Sequence, residues 1–244
     1  MTRLPQEEHM FDLRLKNIAL LMVALLLAGC SLSKIKPVTS SSNSAGNPAR
    51  TATAFKPSDD AGKDLGEALG KLKTAYPYRL TETTTATTSD QSAPPTTRVA
   101  EFAAPDRSHV KLSGGNTADE IEMIAIGDKE YWYADGKWTE NARQSATRKA
   151  KAGEDLEKML ASATKDIKLV GPETVSGVPC FAYTYSMEIN ESRNKYAGTG
   201  KAWIGAADGL PHQIDSEFNV GGFNQKSHIV YEYNVDLKVE KPIP

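Results

Sequence analysis

The sequence predicts an α+β fold, an antiparallel sheet covered on one face by helices, and three observations carry that expectation. A helical apolar stripe opens the globular part of the chain. A series of short segments with period-two alternation follows it. The connections between those segments are too short to cross from one end of a strand to the other, so neighbours pair antiparallel. Helices gathered on one face of such a sheet give it the second layer that burial requires.

Before that domain comes a targeting region. Residues 18–29 (IALLMVALLLAG) form an unbroken apolar run preceded by Arg14 and Lys16. At about 12 residues it is too short to span roughly 30 Å of hydrocarbon as a helix, and it has the form of a secretory signal with a positive n-region. Met1 and Met10 both remain open as the start. The next residues, Leu27-Ala28-Gly29-Cys30, resemble the lipobox of bacterial lipoproteins. Small residues before the cut admit a protease to the backbone, and a thiol at the following position accepts a diacylglyceryl group. The resemblance implies cleavage before Cys30 and acylation of its new amine. Several acyl chains make a stable anchor, because each buried CH₂ contributes about 0.8 kcal/mol and one chain alone is marginal. Ser31 rather than Asp follows the cysteine. In lipoproteins of double-membrane bacteria this implies the outer membrane, facing the periplasm, over retention at the inner one.

Residues 30–58 are read as a tether after the lipidated cysteine, since they are rich in Ser, Thr, Asn, Ala, Pro and Gly. A flexible chain of that length reaches roughly 30 Å. Residues 59–244 form one domain with room for a sizeable core. Its first helix is capped by Ser58, Asp59 or Asp60, carries Leu65, Ala68, Leu69 and Leu72 at helical spacing, and ends before Pro77. Gly62, Gly66 and Gly70 weaken it by about 1 kcal/mol each.

Strands are expected at 78–88, 98–104, 107–113, 120–126 and 130–133, with turns at Pro105-Asp106, at Gly127-Asp128-Lys129 and at Asp135-Gly136. Residues 139–165 interrupt the pattern with few β-branched side chains. There Leu156, Met159, Leu160 and Ala163 give a second helical stripe behind Glu154 and Asp155. Residues 142–151 read as a loop or a loosely attached helical turn. A second β run then covers 180–189, 199–205, 213–220 and a last strand from His228 to Val239. In all, nine or ten strands and two helices are expected.

The order of these elements resembles the half-barrel lipoprotein superfamily that includes the LolA and LolB carriers and the mycobacterial lipid-binding lipoproteins LppX and LprG. The residues that carry the likeness are Val99-Ala100-Glu101-Phe102, Ala104-Pro105-Asp106-Arg107, Tyr131 to Trp138 (YWYADGKW), Val175-Ser176-Gly177-Val178, Trp203-Ile204, Asp208-Gly209-Leu210-Pro211 and Tyr231-Glu232-Tyr233. The resemblance implies a single curved antiparallel sheet, a half-barrel, with helices on its concave face and an apolar cavity for acyl chains between them. It makes Phe181, Tyr183, Tyr185, Trp203, Phe218, Tyr231 and Tyr233 the candidate ligand-binding residues, each with ordinary core packing as its alternative. It implies an anchored carrier that binds a lipid or a lipoprotein acyl chain. The rival expectation is an anchored interaction or sensing module with a filled core.

Composition sets the remaining bounds. The chain has 29 Lys+Arg against 31 Asp+Glu, which excludes a nucleic-acid binder working through a strong basic field. With Cys30 lipidated, Cys180 lacks an intramolecular disulfide partner. Past the signal the histidines are His109, His212 and His228, and no HxH, HExxH, CxxC, GxSxG or P-loop motif occurs. The sequence therefore predicts no enzyme, no metal site and no cofactor. Its expected partners are the membrane through Cys30, a lipid or acyl-chain ligand, and an envelope protein.

Overall fold

The computed structural model describes residues 54–88, 91–115, 120–134, 136–142, 164–191, 194–220 and 223–242. The signal segment, Cys30, most of the tether and the stripe of Leu156, Met159, Leu160 and Ala163 lie outside the described residues. No helix among the described residues is long and apolar enough to cross a membrane.

Helix α1 (Ala61–Lys71) begins where the sequence offers a cap: the Asp60 side chain accepts the Lys63 amide at 3.0 Å. It passes into a 3-10 turn over Leu72–Thr74. Strands follow as β1 (Tyr78–Thr87), β2 (Thr96–Ala104), β3 (Arg107–Gly114), β4 (Ile121–Ile126), β5 (Lys129–Ala134), β6 (Lys137–Ala142), β7 (Thr164–Val175), β8 (Val178–Glu191), β9 (Asn194–Gly205), β10 (Pro211–Val220) and β11 (Phe223–Tyr233). They form one antiparallel sheet in the order β6-β5-β4-β3-β2-β1-β11-β10-β9-β8-β7. The sheet is open, a half-barrel with β6 and β7 at its edges. Two meanders meet where the first strand pairs with the last, Tyr78 opposite Tyr233 and Leu80 opposite Tyr231.

The pairing register sorts side chains onto two faces. One face carries Tyr78 and Leu80 of β1, Ala100 and Phe102 of β2, Val110 of β3, Met123 of β4, and Ile229 and Tyr231 of β11, all buried. The same face continues through Ile214 and Phe218 to Ala202, then to Tyr183 and Tyr185 on β8. Helix α1 lies on this face at its β7–β9 end, where Leu65 and Ala68 pack against Tyr183, Ala202 and Ile204. The opposite face is largely charged over β1–β4. There Arg79 pairs with Glu101 at 2.7 Å, and His109 lies 2.5 Å from Glu122.

Two expectations need correction. The last strand ends at Tyr233 and does not run to Val239. Tyr233 faces Tyr78, the first residue of β1, so the next pairing position falls on Pro77, which has no amide hydrogen to donate. Asn234 turns the chain away at φ +58°, a conformation that Asn tolerates better than most residues. The tail then crosses the charged face, and Val239 buries against Ile124 and Tyr131. The second correction is that the stretch expected to interrupt the sheet, 139–165, overlaps a strand at each end, and those two strands are the sheet's edges. β6 runs to Ala142 and β7 starts at Thr164. Both are mostly exposed and rich in charge, and β7 carries two register shifts with Asp166 at φ +52° and Gly171 at φ +137°. Polar, bulged strands are how an open sheet protects its borders.

Glycine at two positions of β9 lets aromatic rings lie on the backbone. A Cβ at Gly200 would meet the Tyr185 ring at 2.2 Å, and one at Gly198 would meet Phe218 at 2.5 Å. In the exposed middle of α1, a Cβ at Gly66 would meet nothing within 4 Å. Chemical denaturation should therefore separate the two: Gly200→Ala costs about 1–3 kcal/mol by displacing Tyr185, whereas Gly66→Ala stabilises by about 0.5–1 kcal/mol. Equal effects of the two substitutions would contradict this packing.

Candidate functional site

The helix-side face of the sheet is the candidate ligand surface, and the register decides which expected residues reach it. Phe181, Tyr183, Tyr185, Phe218, Tyr231 and Tyr233 all lie on it. Trp203 does not. It opposes Ala182 and Gln213, so it projects from the other face, between Ala202 and Ile204, which point to the helix side. Its indole N–H donates to Glu173 Oε2 at 2.7 Å, and Lys201 sits 4.8 Å from its ring centroid. The hydrogen bonds from Lys201 and then from Trp203 hold the Glu173 carboxyl below the usual carboxylate range.

The six remaining aromatics occupy two settings. At the helix-covered end the space is filled. Tyr183 is fully buried, and its hydroxyl donates to Asp64 Oδ2 at 3.0 Å. Asp64 also accepts the Ser58 amide at 2.9 Å and the Ser58 hydroxyl at 2.7 Å. Burial first, then Asp64, push the Tyr183 phenol well above its ordinary pKa. Phe181 meets Phe55 edge to face at 6.1 Å. The chain entering α1 is thereby riveted to β8, with the Phe55 amide donating to Ala206 O at 2.8 Å.

Beyond α1 the face is aromatic and aliphatic but is spread over more strands. Tyr78 stacks on Phe102 at 4.7 Å, and Tyr231 lies parallel to Tyr233 at 6.4 Å. The Tyr233 hydroxyl donates to Pro211 O at 2.5 Å. Leu72, Tyr76 and Leu210 pack at one end of this cluster. Burial pushes the Tyr185 phenol up to about 12, and pushes Tyr231 and Tyr233 higher still. All of them are neutral hydrogen-bonding groups at physiological pH.

Sequence reasoning missed a polar group in the middle of this apolar face. Glu82 and Arg98 are opposite one another on β1 and β2, on the same side as Leu80 and Ala100. Both are buried, and Arg98 Nε donates to Glu82 Oε2 at 2.8 Å. Ser227 donates its hydroxyl to Glu82 Oε1 at 2.6 Å, and buried Gln225 lies two residues along β11. The signal was available. Tyr78, Leu80 and Glu82 alternate in one strand and Arg98, Ala100 and Phe102 in the next, placing opposite charges where apolar residues are expected.

Other titratable groups among the described residues sit in local packing and hydrogen-bond contacts. Cys180 is buried beside Val175, Val178 and Trp203. Desolvation, with a smaller contribution from Asp208, pushes its thiol up to about 11, the reverse of an activated nucleophile. His212 Nε2 lies 3.1 Å from Asp208 Oδ2, and Asp208 Oδ1 accepts the Leu210 amide at 2.9 Å. Burial opposes ionisation of Asp208, yet these hydrogen bonds outweigh it and hold its carboxyl below the usual range. Among the described residues, no group of three His, Cys, Asp or Glu side chains is placed to hold a metal ion. A broad depression of about 450 Å³ lies at the far end of β9–β11, lined by Ala197, Gly198, Thr199, Glu217, Asn219 and Asn224.

No family model and no curated protein matches the sequence. Solved structures to which the chain is similar include the Mycobacterium tuberculosis lipoprotein LppX, at 13% identity and a TM-score of 0.49, covering 74% of this chain and 98% of that one. LprF from Mycobacterium bovis gives 11% identity and a TM-score of 0.44, covering 78% of this chain and 100% of that one. A LolA superfamily protein from Nitrosomonas europaea gives 9% and 0.35, over 74% and 96%.

Two measurements check this description. Tyr183→Phe removes one hydrogen bond to a buried carboxylate and should lower unfolding free energy by about 1.5–3 kcal/mol, as read by urea denaturation; a neutral effect would mean the rivet is not formed. In a Cys30→Ser background, Cys180 should stay unmodified by a thiol reagent at pH 8 and react on unfolding. Because its folded pKa is raised, this thiol favours the folded state below about pH 9 and that contribution declines as pH climbs toward about 11.

Proposed function

We propose that the chain is a membrane-anchored envelope lipoprotein that holds a hydrophobic ligand, a lipid or a lipoprotein acyl chain, on the helix-side face of its sheet, with no covalent chemistry. The observation that carries the proposal is the mismatch between helix and face. The packing of α1 falls on β7–β9, while the buried apolar row runs on through β11, β1, β2 and β3 to Met123 of β4. A hydrocarbon chain admitted to this face gains about 25 cal/mol per Å² of its own apolar surface removed from water, and reversible burial alone provides capture and release.

The helix-covered end contributes differently from the rest. Tyr183 there serves the fold, so the ligand space is assigned to Tyr185, Phe218, Tyr231 and Tyr233 and the neighbouring Leu80 and Phe102. Trp203 is left out of it. The anchor rests on Leu27-Ala28-Gly29-Cys30, and the tether lets the domain leave the membrane surface by roughly 30 Å. Ser31 after the cysteine supports an outer-membrane site facing the periplasm, by its likeness to lipoproteins of double-membrane bacteria.

Native mass spectrometry of the full chain released from mild detergent should show co-purified lipid. Cys30→Ser should move the protein from the membrane to the soluble fraction without abolishing lipid capture. Persistent membrane association of that variant would remove the anchor from the proposal. A chain that carries no lipid and takes up none would instead be the docking module with a filled core.

A further inference from the structure

The Arg98 guanidinium is only partly used. Its side chain is 3% exposed, and its sole hydrogen bond among the described residues runs from Nε to Glu82. Both Nη1 and Nη2 are buried without a hydrogen-bond partner. Four N–H donors on the outer edge of a planar cation are thus withdrawn from water and given nothing in return, a condition that native interiors rarely leave standing. The partner carboxylate is committed elsewhere: one Glu82 oxygen holds Arg98 Nε and the other holds Ser227. Glu82, itself held by Ser227, fixes the Nε side of the guanidinium and leaves the fork of the two Nη atoms without a partner. The pair lies on the ligand face itself, with Glu82 opposite Ile229 and Arg98 opposite Leu112.

A fork of two Nη atoms at fixed geometry matches the two oxygens of a carboxylate or phosphate. Resting on the ligand reading above, we infer that Arg98 receives the anionic head of the bound lipid, while the neighbouring apolar row takes its chain. The site is therefore specific for an amphiphile with a single oxyanion at one end. Glu82 acts as the positioning residue, since it touches the guanidinium and holds its plane. The pairing also explains why a sheet face that could be wholly apolar keeps one ion pair: the charge is there for a second partner.

The test compares ligands of one chain length on the full-length protein, stripped of endogenous lipid, by displacement of a fluorescent fatty-acid probe. Palmitate and hexadecyl phosphate should each bind at least about tenfold more tightly than hexadecanol, the gain expected of a charge-assisted pair. Arg98→Gln, or the charge-neutral double variant Arg98→Gln with Glu82→Gln where the single one fails to fold, should erase that preference and leave hexadecanol binding within about twofold. Equal binding of all three ligands by the unaltered protein, or a preference that survives in the variants, would overturn the head-group assignment and leave the carrier reading standing. Failure of every ligand to displace the probe would overturn the carrier reading itself. Inorganic phosphate should not displace hexadecyl phosphate at millimolar concentration; displacement would identify a free-anion site in place of a lipid head.

Discussion

A sheet that is apolar on one side must be covered on that side, and this constraint governs the rest of the structure. The cover supplied by α1 is 11 residues, about 16 Å of helix, set against eleven strands. Among the described residues that helix packs at one end, where Asp64 fastens Tyr183 and Ser58 together, while the buried apolar row runs on over β11 and β1–β4. Rigidity and capacity are thereby separated along a single face. One end is locked by hydrogen bonds, and the other is lined by rings and aliphatic side chains with few fixed polar partners.

Much of this was legible in the sequence because antiparallel strands with one solvated face alternate cleanly. The helix over Leu65 and Ala68, its cap, and the strands from Tyr78 to Tyr133 and from Cys180 to Tyr233 all follow from period and turn chemistry. What was lost has physical causes. β7 breaks its own alternation with two left-handed residues and two register shifts, so no periodic signal survives. β6 is a polar edge. The tail after Tyr233 keeps alternating in sequence, although the strand has run out of partners at Pro77 and the alternation alone cannot reveal that.

The candidate site was half legible for the same reason. Six of the seven aromatics share the helix-side face because they keep strand parity. Trp203 was grouped with them by chemistry, yet a one-residue offset from Ala202 and Ile204 sends it to the opposite face, where Glu173 and Lys201 bind it. The Glu82–Arg98 pair was overlooked because charged residues in threonine-rich strands read as solvent-facing. Only the register, which ties each to Leu80 and Ala100, brings them indoors.

The seam between β1 and β11 joins residues that stand 137 to 155 positions apart along the chain. Neither meander can complete the central part of the sheet by itself, so the contact that unites them closes an unusually long loop and belongs late in folding. For a chain made from its N-terminus, the first strand can pair early with β2 on one edge, but its β11 edge must stay open until nearly the whole molecule has arrived. Its composition suits that delay. Beyond Leu80 the strand is mostly threonine, TETTTAT, which is soluble in the extended state and a poor nucleus for premature association.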